Sequence, residues 1–361
     1  MNWIALSTPE NVPLPPGPAA AHAACPPRDG LIPRGGLVME VDLGRDTGAE
    51  ETLLLLHRQG DLISHVSFHR APGGQFAFAQ RLGKERRQQV LAVPAPRCVG
   101  SARLTLSWDC ASGRGLFALE LLQEGTLVRR VFANPLPWRR ADIAELEQGG
   151  PGAHVGPAIG YFGLSDRPLP VGLAPSLATG TPVRTAEGYV PVERLRPGDM
   201  IETLSHGPLP LCHTHGWELP ARGLFRPVRL LAPFMGLRRD VMVAAGQRLV
   251  LGGADVEYMF GAEAVLVEAR ALAGTIAAHE EGQARTIRYH HVLLEQHAVL
   301  DVAGCAMESL YMGGVSGQPE LLATSFLGGL APEALPRHDT DDLRTLSDYE
   351  AAALLAAMSR L

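Results

Sequence analysis

Glycine and proline make up 40 and 29 of the 361 residues, and their spread along the chain leaves the apolar residues in short runs. Short runs rich in Leu, Val, Ile and aromatics, bounded by turn formers, are expected to be strands joined by turns. The expected strands begin with "LVMEVDL" (37–43), "ETLLLLHRQ" (51–59), "ISHVSFHR" (63–70) and "QFAFAQRL" (75–82). They continue with "ARLTLSWD" (102–109), "LFALELLQ" (116–123) and "TLVRRVFA" (126–133). Phe76 with Phe78, and Leu104 with Leu106 and Trp108, alternate with other residues and so share one face of a strand. Strands repeating about every ten residues suit a sandwich. The fold class is mainly all-β.

Helical signals are confined to the end, in "LSDYEAAALLAAMSRL". Ser347 and Glu350 have capping-box spacing, and Leu354, Leu355, Met358 and Leu361 share one face, which is expected to pack within the chain. The Pro-rich stretch "SDRPLPVGLAPS" (165–176) marks a boundary. The expected organisation is a Pro-rich leader (1–35), a β-sandwich (36–170), a second β domain (173–315) and a tail (316–361) with a helix over 347–360.

With 32 basic against 38 acidic residues the net charge is −6, which gives no electrostatic reason for a nucleic-acid or anionic-membrane partner. Lys84, Arg86 and Arg87 cluster around Glu85 and read as a solvated turn. No apolar run reaches the roughly 20 residues of a membrane span. The N-terminus lacks the basic region of a signal peptide, so the expectation is cytoplasmic by default, with leaderless secretion left open. The five cysteines (Cys25, Cys98, Cys110, Cys212, Cys305) form no C-x-x-C pair and read as buried small hydrophobes. In "LCHTHG" (211–216), His213 and His215 share a strand face and His290–His291 lies further on, but the spacing matches no tetrahedral set. No metal or cofactor is expected. Phosphate-loop, nucleophile-elbow and H-E-x-x-H motifs are missing from the sequence.

Within the first half, a strand ending in Trp108-Asp109, a Ser-Gly-Arg-Gly turn and a returning strand, with "PAIGYFGLSD" (157–166) closing, resemble the hairpin of concanavalin-like, laminin-G-type jelly-roll sandwiches. That resemblance implies a carbohydrate or protein ligand, sometimes bound through calcium. No ligand position of that family is matched, and Asp109 reads as a turn-forming residue.

The second half carries the more specific resemblance. In "SLATGTPVRTAEGYVPVERLRPGDMIET" (176–203) a Gly-Thr pair opens a strand, a turn at Glu187-Gly188 follows, and a second strand leads into Pro-Gly-Asp. Pro197 presets φ, Gly198 supplies a positive-φ position and Asp199 caps the turn. With "FRPVRLLAP" (225–233), "RRDVMVAAGQRLVL" (238–251), "YMFGAEAVLVEARAL" (258–272) and "YHHVLLEQHAVLDVAGCAMES" (289–309), this order resembles the Hint domain of hedgehog proteins and inteins, in its bacterial form. The resemblance implies a pseudo-twofold β fold, with Gly180, Thr181, Pro197, Gly198 and Asp199 as structural turns.

It also implies a chemistry, an N-to-O or N-to-S acyl shift in which a first-position nucleophile attacks the preceding carbonyl. A Thr-x-x-His motif protonates the leaving nitrogen. Here Ser176 takes the nucleophile position, Ala244 and Gln247 stand where Thr and His belong, and His297 matches a late His that equally suits a structural strand histidine. A serine hydroxyl needs an adjacent base, and general acid help contributes about 10²–10⁴-fold. "GCAMES" offers no His-Asn pair, so splicing is not expected, and Cys305 reads as a structural thiol. Two functions stay open: a catalytically depleted structural or interaction module beside a ligand-binding sandwich, and a self-cleaving protein that uses Ser176. A third is a secreted lectin-like protein with a vestigial second half. The chain is at most autoproteolytic.

Overall fold

The computed structural model describes residues 2–7, 30–44, 49–60, 62–93, 100–121, 125–172, 176–282, 284–338 and 343–358. They fall into two compact units, Met1–Gly172 and Leu173–Leu361, each with its own core.

The first unit is a β-sandwich. One sheet runs Trp3–Ser7, Ile159–Ser165, Arg34–Asp42, Ser101–Asp109, Arg114–Leu121, Thr126–Ala133. The other runs Ala153–Val155, Glu51–Arg58, Ser64–Ala71, Gln75–Leu82, Glu85–Ala92. All neighbours in both sheets are antiparallel. The alternating residues Phe76, Phe78, Leu104, Leu106 and Trp108 share one core with Phe68 and Phe117, as their spacing predicts. Burying a large apolar side chain contributes about 1.5–3 kcal/mol, so this aromatic cluster is the main anchor of the unit. Trp108 stacks on Trp138 with ring centroids 5.3 Å apart and donates its indole N–H to the Ile32 carbonyl at 3.0 Å. Its ring lies so close to the paired strand that a Cβ on Gly35 would sit 2.5 Å from it.

Several expectations are corrected in this unit. Part of the expected leader is strand: Trp3–Ser7 pairs with Ile159–Ser165 at the sheet edge, and Leu31–Ile32 pairs with Trp138–Arg139. Apolar side chains Trp3, Ala5 and Leu6 hold the first of these down, and a five-residue run before a Pro-rich segment is too short for alternation to stand out. The remainder of the leader, 8–29, lies outside the described residues. The sandwich also reaches past its expected end, because Leu169 and Val171 pack over the outer face of the first sheet, where the Ser107 hydroxyl bonds the Leu169 backbone at 2.9 Å. The Lys84 cluster is only partly a turn. Lys84 is in the turn, but Arg86 and Arg87 belong to the strand Glu85–Ala92, and Arg87 donates to the Asn134 carbonyl at 2.7 Å. A helix, Arg140–Gln148, also interrupts the strands.

The second unit has two sheets of shorter strands. The first runs Gly216–Pro220, Thr286–His290, Leu177–Ala178, Val241–Ala244, Pro227–Leu230, Ala278–Glu280. The larger runs Ala264–Glu268, Arg248–Gly252, Cys305–Glu308, Val299–Val302, Pro182–Thr185, Met200–Thr203, Gly207–His213, Leu293–Leu294, with Gly188–Pro191 beside Pro182–Thr185. The tail is part of this unit. Helix Asp348–Met358 places Ala351 and Leu354 in its core, and Leu355 and Met358 pack against that core. Glu350 N–H donates to Ser347 Oγ at 3.4 Å while Ser347 N–H donates to Glu350 Oε2 at 2.9 Å, the predicted capping box. Leu361 lies outside the described residues.

Candidate functional site

The site is built around the strand that Ser176 opens. Leu177–Ala178 is a central strand of the smaller sheet, between Thr286–His290 and Val241–Ala244. Ser176 is fixed from both sides: its N–H donates to the His290 carbonyl at 3.0 Å, and its carbonyl accepts from Ala244 N–H at 2.7 Å. The residue is half-buried, and its hydroxyl has no hydrogen-bond partner among the described residues.

The turns behind it form through local chemistry. Gly180 takes φ +88°, open to glycine and strained for other residues, and its N–H donates to Glu193 Oε2 at 2.8 Å. The Thr181 hydroxyl donates to the Met242 carbonyl at 3.1 Å. After Pro197, Gly198 takes φ +96°, and Asp199 Oδ2 accepts from Arg196 N–H at 2.8 Å.

Gln247 is 3 % exposed. Its amide Nε2 donates to the Arg248 and Glu308 carbonyls at 3.0 and 3.1 Å, and its backbone N–H donates to the Ala244 carbonyl at 2.9 Å. His297 sits in a different net. Its Nε2 lies 3.1 Å from Glu308 Oε1, its Nδ1 lies 3.2 Å from Ser309 Oγ, and its ring lies 4.9 Å from Tyr311. Glu308 also pairs with Arg248. The fold therefore brings Ser176 to Ala244, and Gln247 to His297 through Glu308. Among the described residues no hydrogen bond links His297 to Ser176.

A neighbouring histidine pair was not assigned to this site from the sequence. His213 Nδ1 and His291 Nε2 are 2.8 Å apart with rings stacked at 5.0 Å, and His291 directly follows the residue whose carbonyl holds Ser176. Burial, with smaller contributions from His213, His215 and His290, pushes His291 down to about 3, so it is neutral at ordinary pH. His213 is lowered too, first by burial and then by His215. Thr179 Oγ1, just past the end of Leu177–Ala178, and His290 Nε2 on the neighbouring strand are 3.0 Å apart. The repeated histidines in "LCHTHG" and "YHH" were a visible signal, but their register was not. Among the described residues no three His, Cys, Asp or Glu side chains group as metal ligands.

The cysteines offer no ready nucleophile among the described residues. Burial, then Asp301, pushes the Cys305 thiol up to about 12, while Cys110 and Cys212 are raised by burial first. Cys25 and Cys98 lie outside the described residues. In the sandwich, Asp109 Oδ1 accepts from Ala111 and Ser112 N–H at 3.0 and 3.2 Å, the turn role its position predicts.

Residues 175–314 match the family model of the Hint domain, so the second unit carries a Hint domain, as the motifs from Ser176 onward imply. Among solved structures, the chain is similar to the CBM40 of the Ruminococcus gnavus IT-sialidase at 15 % identity, covering 38 % of this chain and 78 % of that one, with a TM-score of 0.28. It is likewise similar to the bacterial intein-like domain from Clostridium thermocellum at 13 % identity, 38 % and 99 % coverage, and a TM-score of 0.28. Similarity to the MchDnaB-1 intein is 12 % identity over 37 % of this chain and 98 % of that one, with a TM-score of 0.23. No curated protein matches.

Proposed function

We propose that this protein joins a ligand-binding β-sandwich to a Hint domain whose acyl-shift chemistry is depleted, so that the second half acts as a structural or interaction module. The observation that carries this reading is Gln247. In the place of the proton-transferring His stands a buried amide, already committed to two backbone carbonyls. Neither it nor Ala244 can protonate a leaving amine, and Ser176 has no base bonded to it among the described residues. A serine in that setting attacks an amide slowly.

Intact-mass measurement of purified full-length protein, before and after incubation with hydroxylamine, tests this. A single full-length mass is expected. Fragments of 175 and 186 residues, the lengths either side of the Pro175–Ser176 bond, would reject depletion. Ser176→Ala should then abolish them. The double variant Ala244→Thr with Gln247→His should raise any cleavage by about 10²-fold or more, the scale of general acid help.

Self-cleavage is the second reading, and the His213–His291 pair beside Ser176 favours it. In that case His213→Gln should slow the appearance of the fragments. The sandwich's ligand, on this proposal, is a carbohydrate or a protein surface.

A further inference from the structure

The strand register of the sandwich lines up four nitrogen-bearing side chains. His57 faces His65, His65 faces Arg81 and Arg81 faces Arg86, one residue from each of four neighbouring strands. His57, His65 and Arg81 point away from the core, because the residues beside them in sequence, Leu56, Val66 and Gln80, are buried, and Arg86 is itself exposed. The His57 and His65 rings are 5.8 Å apart. Arg81 and Arg86 set like charges directly opposite one another, which is destabilising on a sheet, so nothing about folding recommends that pair. The row lines an open trough of about 480 Å³ whose described lining residues include no carboxylate. That is within the size range of small-ligand sites.

Other acids do not neutralise the row. Glu85, the nearest in sequence, is spent on Arg87 at 3.1 Å. Arg81 uses its Nε on the Gly83 carbonyl at 2.8 Å, which fixes the guanidinium. Arg86's guanidinium and the His65 ring have no hydrogen bond with a described residue. The proton affinity of His65 is lowered first by burial and then by His57, His69 and Arg81, as in a field positive on several sides. Beside the row the floor is Ala79 and Ile63, small and apolar, with the Gln88 amide at its edge.

We propose that the His57–His65–Arg81–Arg86 row binds a saccharide that carries a carboxylate. A guanidinium fork matches a carboxylate in two parallel hydrogen bonds. The imidazoles and Gln88 suit ring hydroxyls, and Ala79 and Ile63 suit the C–H face of a sugar ring. This rests on the sandwich being the ligand-binding half and is independent of what the Hint domain does.

The test is calorimetric titration of the full-length protein with glucuronic acid, N-acetylneuraminic acid, a sulfated monosaccharide, sodium sulfate, and the neutral sugars glucose and lactose. The expected result is binding of the carboxylate sugars that weakens with added salt. It should fall at least tenfold in Arg86→Gln and in His65→Gln. Both variants should keep the wild-type circular dichroism, since both side chains face solvent. No binding of either carboxylate sugar, or binding untouched in both variants, overturns the proposal. Sulfate alone binding as tightly as the sugars reduces the row to a plain anion site and overturns it too. Neutral sugars binding equally well, with both variants unaffected, would keep the sandwich as a ligand binder and remove this face as its site.

Discussion

Strands of seven to nine residues make up most of the two sandwich sheets, while the Hint half builds its sheets from strands of two to five residues, Gly207–His213 excepted. Polar pairing differs as well. The sandwich buries the Arg103–Glu120 pair and leaves the His57–His65–Arg81–Arg86 row on an open sheet face, whereas the Hint half joins Arg248, Glu308 and His297 in one net across its larger sheet. Long ladders tolerate such a row because many backbone bonds and a deep aromatic core hold the strands in register. Short strands have no such margin, so side chains must finish what the ladders cannot.

The sharpest way to break this comparison is Trp108→Ala. Loss of a stacked, buried Trp is expected to cost about 3–5 kcal/mol, read as faster hydrogen exchange in 101–121 with 286–308 unchanged. If both regions respond alike, the two cores are not independent. Glu308→Ala should do the reverse. It removes the carboxylate that Arg248 and His297 share and costs about 2–3 kcal/mol, with faster exchange confined to the second unit.

Acid should also separate the halves. His291 is neutral in the fold with its pKa lowered to about 3, while an unfolded histidine titrates near 6.5. Between those values the unfolded chain binds the extra proton, so stability falls as pH falls through that window. From pH 7 to 5 this amounts to about 2 kcal/mol, measured by urea unfolding of the second unit, and His291→Gln should flatten the slope. The smallest effect is Ser347→Ala. Losing the cap should cost about 1 kcal/mol and free the last helix to exchange, while the sandwich stays as it was.

The division also explains what was legible beforehand. Alternation over eight residues announces Phe76, Phe78, Leu104, Leu106 and Trp108 from sequence alone, because a long strand repeats its own evidence. In the Hint half alternation is too brief, and turn chemistry did that work: Gly180 and Pro197-Gly198-Asp199 make sense only as the turns they form. What stayed hidden was whatever depends on register. His213 and His291 are 78 residues apart, and nothing local says that their rings stack. The His57–His65–Arg81–Arg86 row is invisible until four strands are laid side by side. Helix Arg140–Gln148 escaped for another reason, since nine residues shortly after "NPLPW" give only about two and a half turns of periodicity.

The edge strand Trp3–Ser7 has one more consequence. Trp3 meets its partner Ser165 across nearly the whole sandwich sequence. At typical synthesis rates of 5–20 residues per second, that partner leaves the ribosome roughly 10–30 s later. Throughout that interval the native partner of this apolar strand has not yet been made. Closing the first sheet is thus a late, long-range event.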